Sequence, residues 1–157
     1  MKKIFISLIL AAAVLACFAG CGNNTRPVDT LNITENTFLT QLTEIYDNPS
    51  SYIGKAIKIA GLFEADDHGG HNHYYVYRNA PIYDSDHGHD HIQKIGFEFS
   101  YNGDIPKDND FIEVVGVLRN YSENGQSSLR LEANSVTVLS VRGAETIGGA
   151  TTVHYEH

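Results

Sequence analysis

Across residues 34–48 the apolar side chains Phe38, Leu42, Ile45 and Tyr46 recur at helical spacing, with Thr34 placed as a cap and Glu35 in the first turn. The spacing predicts one amphipathic helix, closed by Asn48-Pro49. From Lys55 the period changes to two: Ile57, Ile59 and Phe63 fall on one side of an extended chain, and Lys58, Ala60 and Leu62 on the other. Segments 73–79, 92–100, 110–120 and 128–140 have the same β-branched and aromatic character, separated by Gly, Asn, Asp and Pro clusters such as NGDIPKDND and SENGQ. Five strands follow from this pattern, and the glycines inside the first and fourth, Gly61 and Gly116, let a sheet coil sharply. The expected fold is mainly β, a small five-stranded barrel preceded by one α-helix, over residues 34–141. The last stretch, RGAETIGGATTVHYEH, shows no period, so 142–157 is expected to be a disordered tail.

The N-terminus follows a different rule. Lys2 and Lys3 precede an apolar run from 4 to 16, too short to remain in a bilayer as a spanning helix and suited to a secretory signal over residues 1–20. The run ends in Phe18-Ala19-Gly20-Cys21, which resembles the bacterial lipobox. The resemblance implies that Cys21 is lipidated and becomes the new N-terminus, anchoring the protein at the extracytoplasmic face of the cell membrane. A cut before Cys17, or an ordinary cleaved signal, is the alternative. Residues 21–33 are polar and aperiodic and read as a flexible tether.

The chain is short, at 157 residues, which excludes large multidomain enzymes. It carries 11 Lys+Arg against 19 Asp+Glu, a formal charge of −8. Cleavage before Cys21 removes two lysines and no acid, leaving −10. With no basic patch to displace counterions, nucleic acid is excluded as a partner. The two cysteines lie at 17 and 21, so the exported domain can hold no internal disulfide and no thiolate metal site. Nucleophile elbows, phosphate loops and catalytic triads are absent from the sequence, and the chain is read as a non-enzyme.

Six of the eight histidines lie between His68 and His91. They form two acidic segments: DDHGGHNH with His68, His71 and His73, and DSDHGHDH with His87, His89 and His91. Residues two apart in an extended chain share a side, so His-x-His pairs can close on one ion at Zn–N distances of about 2.0 Å once the loop bends at Gly69, Gly70 or Gly88. Asp66, Asp67, Asp84, Asp86 and Asp90 can ligate further or accept the second imidazole N–H. Imidazole with carboxylate suits Zn²⁺, with Cu²⁺ and Ni²⁺ as competitors. The two segments flank the second strand and would be separated by roughly 20 Å along it. A loop over residues 80–91 is long enough to fold back over Tyr74, Tyr75, Tyr77 and Tyr83, and we expect it to bring the clusters onto one site; otherwise two three-histidine sites result.

The stretches YDNPSSYIGKAIKIAGLF, YYVYR and FIEVVGVL resemble the C-terminal soluble domain of bacterial permease-partner membrane proteins. The matching positions are Tyr46, Asn48, Pro49, Tyr52, Gly54 and Lys55, followed by Gly61, Phe63 and Arg78, and the likeness covers about residues 38–140. It implies an OB-like barrel and a link to metal handling. This chain departs from the family by replacing the N-terminal membrane helices with a lipid anchor. It also carries residues 84–91, DSDHGHDH, where the family has Cys-Cys-Ala-Ala-Asp. Two functional expectations stand. One is a metal-binding lipoprotein that captures Zn²⁺, Cu²⁺ or Ni²⁺ for storage or delivery to a membrane transporter or permease. The other is an interaction module that docks on a membrane or envelope protein through its tyrosines, with the histidines incidental or pH-sensing.

Overall fold

A computed structural model of the chain describes residues 29–68, 71–84, 89–123, 125–148 and 151–152, except for the side chains of 68, 71, 82–84, 89, 90, 151 and 152. The signal, Cys21 and the tether up to residue 28 lie outside the described residues. Among the described residues no helix is long and apolar enough to cross a membrane.

The elements in chain order are β1 (Leu31–Ile33), α1 (Phe38–Asp47), β2 (Ala56–His68), β3 (His71–Asp84), β4 (His89–Ser100), β5 (Phe111–Glu123), β6 (Gln126–Val138) and β7 (Thr151–Thr152). The predicted helix starts later than expected, because Glu35–Thr37 form a 3-10 turn in which the Thr34 N–H donates to the Thr37 hydroxyl at 3.2 Å. The end of the presumed tether is a strand. Leu31 and Ile33 alternate around Asn32, and β1 pairs in parallel with β2, burying Ile33.

Strands β2 to β6 close a barrel in the order β2-β3-β4-β6-β5, returning to β2, with β4 and β6 parallel and the other pairings antiparallel. This is the OB-type arrangement. Closure depends on β2 serving two neighbours: residues 56–62 pair with β5, and residues 62–68 with β3. The strand must bend where it changes partner. Gly61 sits there, and a Cβ on it would fall inside the van der Waals shell of the Tyr77 carbonyl oxygen. Gly116 occupies a second irregularity, a register shift between β5 and β6.

The alternation read from the sequence faces the core as expected. Ile57, Ile59 and Phe63 of β2 meet Val76, Phe97, Phe99, Val114, Leu118 and Leu131, all buried. Phe38, Leu42 and Ile45 of α1 are fully buried in the same cluster. Each of these side chains contributes about 1.5–3 kcal/mol of burial. Tyr74 joins the core, its ring centroid 6.0 Å from those of Phe63 and Phe99.

Arg78 also points inward and is only 4% exposed. Its Nε donates to the Ala60 carbonyl at 2.9 Å, and its guanidinium lies 4.9 Å from the Phe38 ring centroid and 5.4 Å from that of Phe111. One terminal nitrogen is 3.6 Å from the Glu35 carboxylate, too far for a hydrogen bond. The same carboxylate accepts the Ala144 N–H at 3.3 Å. This anchors part of the supposedly loose tail: Asn79 donates to the Glu145 carbonyl, Ile147 donates back to Asn79, both at 2.9 Å, and Ile147 is buried. Residues 142–148 are therefore packed against β3, and β7 pairs with Ile82 and Tyr83. One apolar side chain among polar neighbours is enough to dock this segment, which periodicity could not reveal. Residues 153–157 lie outside the described set.

Candidate functional site

The first histidine segment is strand rather than loop. β2 and β3 run on past the barrel, pairing Asp66 with His73, Asp67 with Asn72 and His68 with His71, with only Gly69 and Gly70 between. Directly opposed residues share a face of a two-stranded ribbon, as do residues two apart. The register therefore puts positions 66, 68, 71 and 73 on one face and position 67 on the other. Asp67 is separated from the rest of the predicted set by a single step of pleat.

His73 is the member of that set whose surroundings are built. Its Nδ1 lies 3.1 Å from Glu98 Oε1 of β4, with only 15% and 12% of the two side chains exposed. Its Nε2 faces Glu123 Oε2 of β5 at 4.0 Å. Tyr121 links the two acids, its hydroxyl 2.8 Å from Glu123 Oε2 and 3.2 Å from Glu98 Oε2. Desolvation first, then the hydrogen bond to Glu123 and the charge of Glu98, push the Tyr121 phenol well above the ordinary tyrosine range. It remains a donor at neutral pH. Arg130 of β6 covers this arrangement, 4.0 Å above the Tyr121 ring centroid and 3.8 Å from Glu98 Oε1.

The chemistry follows from the bonding. When Nδ1 carries the imidazole proton, Glu98 accepts it and the Nε2 lone pair is left facing Glu123. A carboxylate behind a histidine in this way fixes its tautomer and orientation and raises its basicity toward a metal. Among the described residues no group of three or more His, Cys, Asp or Glu is gathered closely enough to hold an ion. Beyond His73 and Glu123, further ligands to an ion on Nε2 would have to come from positions 68 and 71, whose side chains lie outside the described residues.

Glu98, Tyr121, Glu123 and Arg130 are absent from the sequence-based set. The alternation in FEF and RNYSE places Glu98, Tyr121 and Glu123 on the outer face, which is the one signal available. Bringing them to His73 requires the strand order.

The second histidine segment lies elsewhere. β3 is one continuous strand of 14 residues, and β4 pairs with it from Phe99 opposite Tyr74 to His89 opposite Asp84. Residues 80–84 are thus committed to a ladder instead of a fold-back loop. The two segments sit at opposite ends of β3, on the order of 40 Å apart along the strand. The expected convergence onto one site is corrected to two separate hairpins, because strand pairing satisfies the backbone of 80–84 and a folded-back loop would not. His91 pairs with Ile82 and is exposed. His87 and Asp86 lie outside the described residues, as do the side chains of Asp84, His89, Asp90 and Tyr83.

A family model described as the DUF1980 C-terminal domain matches residues 21–143. Eight solved chains also match. Among them is a small single-stranded DNA-binding protein from Streptomyces coelicolor, 17% identical, with a TM-score of 0.33, covering 57% of this chain and 98% of that one. No curated protein matches.

Proposed function

The chain belongs to the DUF1980 C-terminal domain family, and we propose that this member is a lipid-anchored extracytoplasmic protein that captures a divalent cation at the β2–β3 hairpin. Zn²⁺ is the first candidate, with Cu²⁺ and Ni²⁺ as competitors, held for storage or handed to a membrane transporter or permease. The observation that carries the reading is the Glu98 carboxylate on Nδ1 of His73 with Nε2 left toward Glu123. A merely solvated histidine has no need of a largely buried carboxylate from another strand.

In this reading His73 is the fixed ligand, His68 and His71 complete the coordination from the hairpin tip, and Asp66, opposite His73, lends charge beside the ion. Glu123 supplies a carboxylate oxygen, and Glu98 holds the imidazole. Tyr121 stays neutral and donates, so it disperses the repulsion between Glu98 and Glu123 while the site is vacant. The exposed His91 of β4, with His87 and His89 beside it in the sequence, is a second place for cations to exchange. Cys21 would keep both near the membrane.

Equilibrium dialysis of the purified chain against Zn²⁺, Cu²⁺ and Ni²⁺ separately tests the proposal. It predicts stoichiometric binding with Kd below about 10 μM. Weaker binding for all three metals would end it.

A further inference from the structure

The β4–β6 ladder is short. It consists of Glu98, Phe99 and Ser100 opposite Arg130, Leu131 and Glu132. Beyond it β4 continues toward His89 and β6 toward Gln126, each paired on one edge only, with β3 and β5 respectively. Among the described residues nothing forms a strand in the seam between them. A solvent-open groove of about 430 Å³ lies there, reaching from Glu98, Phe97 and Gly96 on β4 to Ser128 and Leu129 on β6. At its inner end the Tyr46 hydroxyl of α1 donates to the Gly96 carbonyl at 2.7 Å, taking one of the ladder positions a neighbouring strand would fill. Exposed sheet edges of this kind are templates for pairing with another extended chain.

The groove walls select what could pair. Tyr75 and Tyr77 of β3 line it, together with Glu64 and Asp66 of β2, Glu98, and one base, Lys94. Lys94 is already engaged, bonded to Glu64 and 4.9 Å from the Tyr77 ring centroid. That contact shows how a cation is received: ammonium over a phenol face, with a carboxylate beside it. Burial raises the Tyr75 and Tyr77 phenols, so the rings stay uncharged. Three carboxylates against one lysine repel a phosphate backbone, although the corresponding face of OB barrels often takes oligonucleotides. A chain carrying −8 overall also repels a second copy of itself.

We propose that this seam is the docking site for an extended, positively charged polypeptide segment of a partner protein, which adds a strand to the free edge of β4 and lays a Lys or Arg side chain over Tyr75, the half-buried ring beside the Tyr77 face that Lys94 already covers. Ile92, 61% exposed farther along β4, gives the incoming strand an apolar contact. The inference is independent of metal capture except that Asp66 and Glu98 belong to both places.

Fluorescence anisotropy with a labelled ten-residue peptide of alternating Lys and Thr, in EDTA, tests it on the full chain. The expected results are saturable binding at tens of micromolar in low salt, at least threefold weaker binding in Tyr75→Ser and Glu64→Gln, and at least threefold tighter binding in Lys94→Glu. Because the last variant gains affinity, misfolding cannot imitate it. A peptide of the same charge with alternate backbone nitrogens methylated should lose at least fivefold, since it cannot pair with a strand edge. Equal binding of the methylated peptide would show attraction to bulk charge and overturn the proposal. So would indifference to all three substitutions, or tighter binding of an oligothymidine than of the peptide.

Discussion

His73 Nδ1 and Glu98 Oε1 meet 3.1 Å apart, although 25 residues separate them in the chain and they lie on different strands. The contact exists because β4 runs antiparallel to β3 with Glu98 opposite Tyr75, one outward position from His73. It turns one of six clustered histidines into a positioned one.

Glu98→Gln removes the charge behind the imidazole and keeps the shape. Metal affinity should fall about 10-fold to 100-fold, read by competition with a zinc indicator, while the urea midpoint hardly moves. A loss in both would make Glu98 structural. Capture should also weaken as the solution is acidified, because protons compete with the metal for the imidazole nitrogens.

Arg78 holds α1, β2 and the C-terminal segment to one another. Arg78→Ala removes the bond to the Ala60 carbonyl and the packing between Phe38 and Phe111, at a cost of about 3 kcal/mol in urea unfolding. Arg78→Met, which keeps the stem between the rings, should recover about 1 kcal/mol or more of that. No difference between the two variants would show that packing is not the main term.

Much of the barrel was legible in the sequence. Period-two alternation identified Ile57, Ile59 and Phe63 as core, and the resemblance carried by Tyr46 to Lys55 and by Arg78 pointed to the family that the chain belongs to. What was hidden has physical causes. The strands β2, β3 and β4 extend into segments of acidic and imidazole side chains, where the inward face is polar too and no apolar alternation marks it. DDH and HNH therefore look like loops. Docking of residues 142–148 rests on Ile147, two backbone bonds to Asn79 and the Ala144 N–H on Glu35, which leave no period. Glu98, Tyr121 and Glu123 meet His73 only through strand order.

Gly61 and Gly96 make a direct check of barrel closure. A Cβ at either position meets a backbone carbonyl of β3, Tyr77 or Val76, which cannot rotate away. Gly61→Ala and Gly96→Ala should each cost about 2 kcal/mol or more, measured by thermal unfolding. Unchanged melting in both would mean that the strands are farther apart than described.

Alkaline pH should expose the seam residue Tyr46. Desolvation where the hydroxyl is tucked against the Gly96 carbonyl raises its phenol from 10.0 to about 12 in the folded chain, although 48% of the residue is exposed and solvent screening weakens the effect. Stability from this group is complete below pH 10 and lost as pH rises toward 12, because the unfolded chain gives up the proton first. The melting temperature should fall over that window, and less steeply in Tyr46→Phe. That variant also loses the bond to Gly96, worth about 1 kcal/mol at neutral pH. Identical slopes would place the phenol in free solvent.

Calorimetric titration of Zn²⁺ into two triple variants asks most directly whether capture belongs to the β2–β3 hairpin. Replacing His87, His89 and His91 by Ala should leave the tighter binding event in place, and replacing His68, His71 and His73 by Ala should abolish it. If the tighter event survives the second replacement and disappears with the first, the site built on His73 and Glu98 is not where the ion is held.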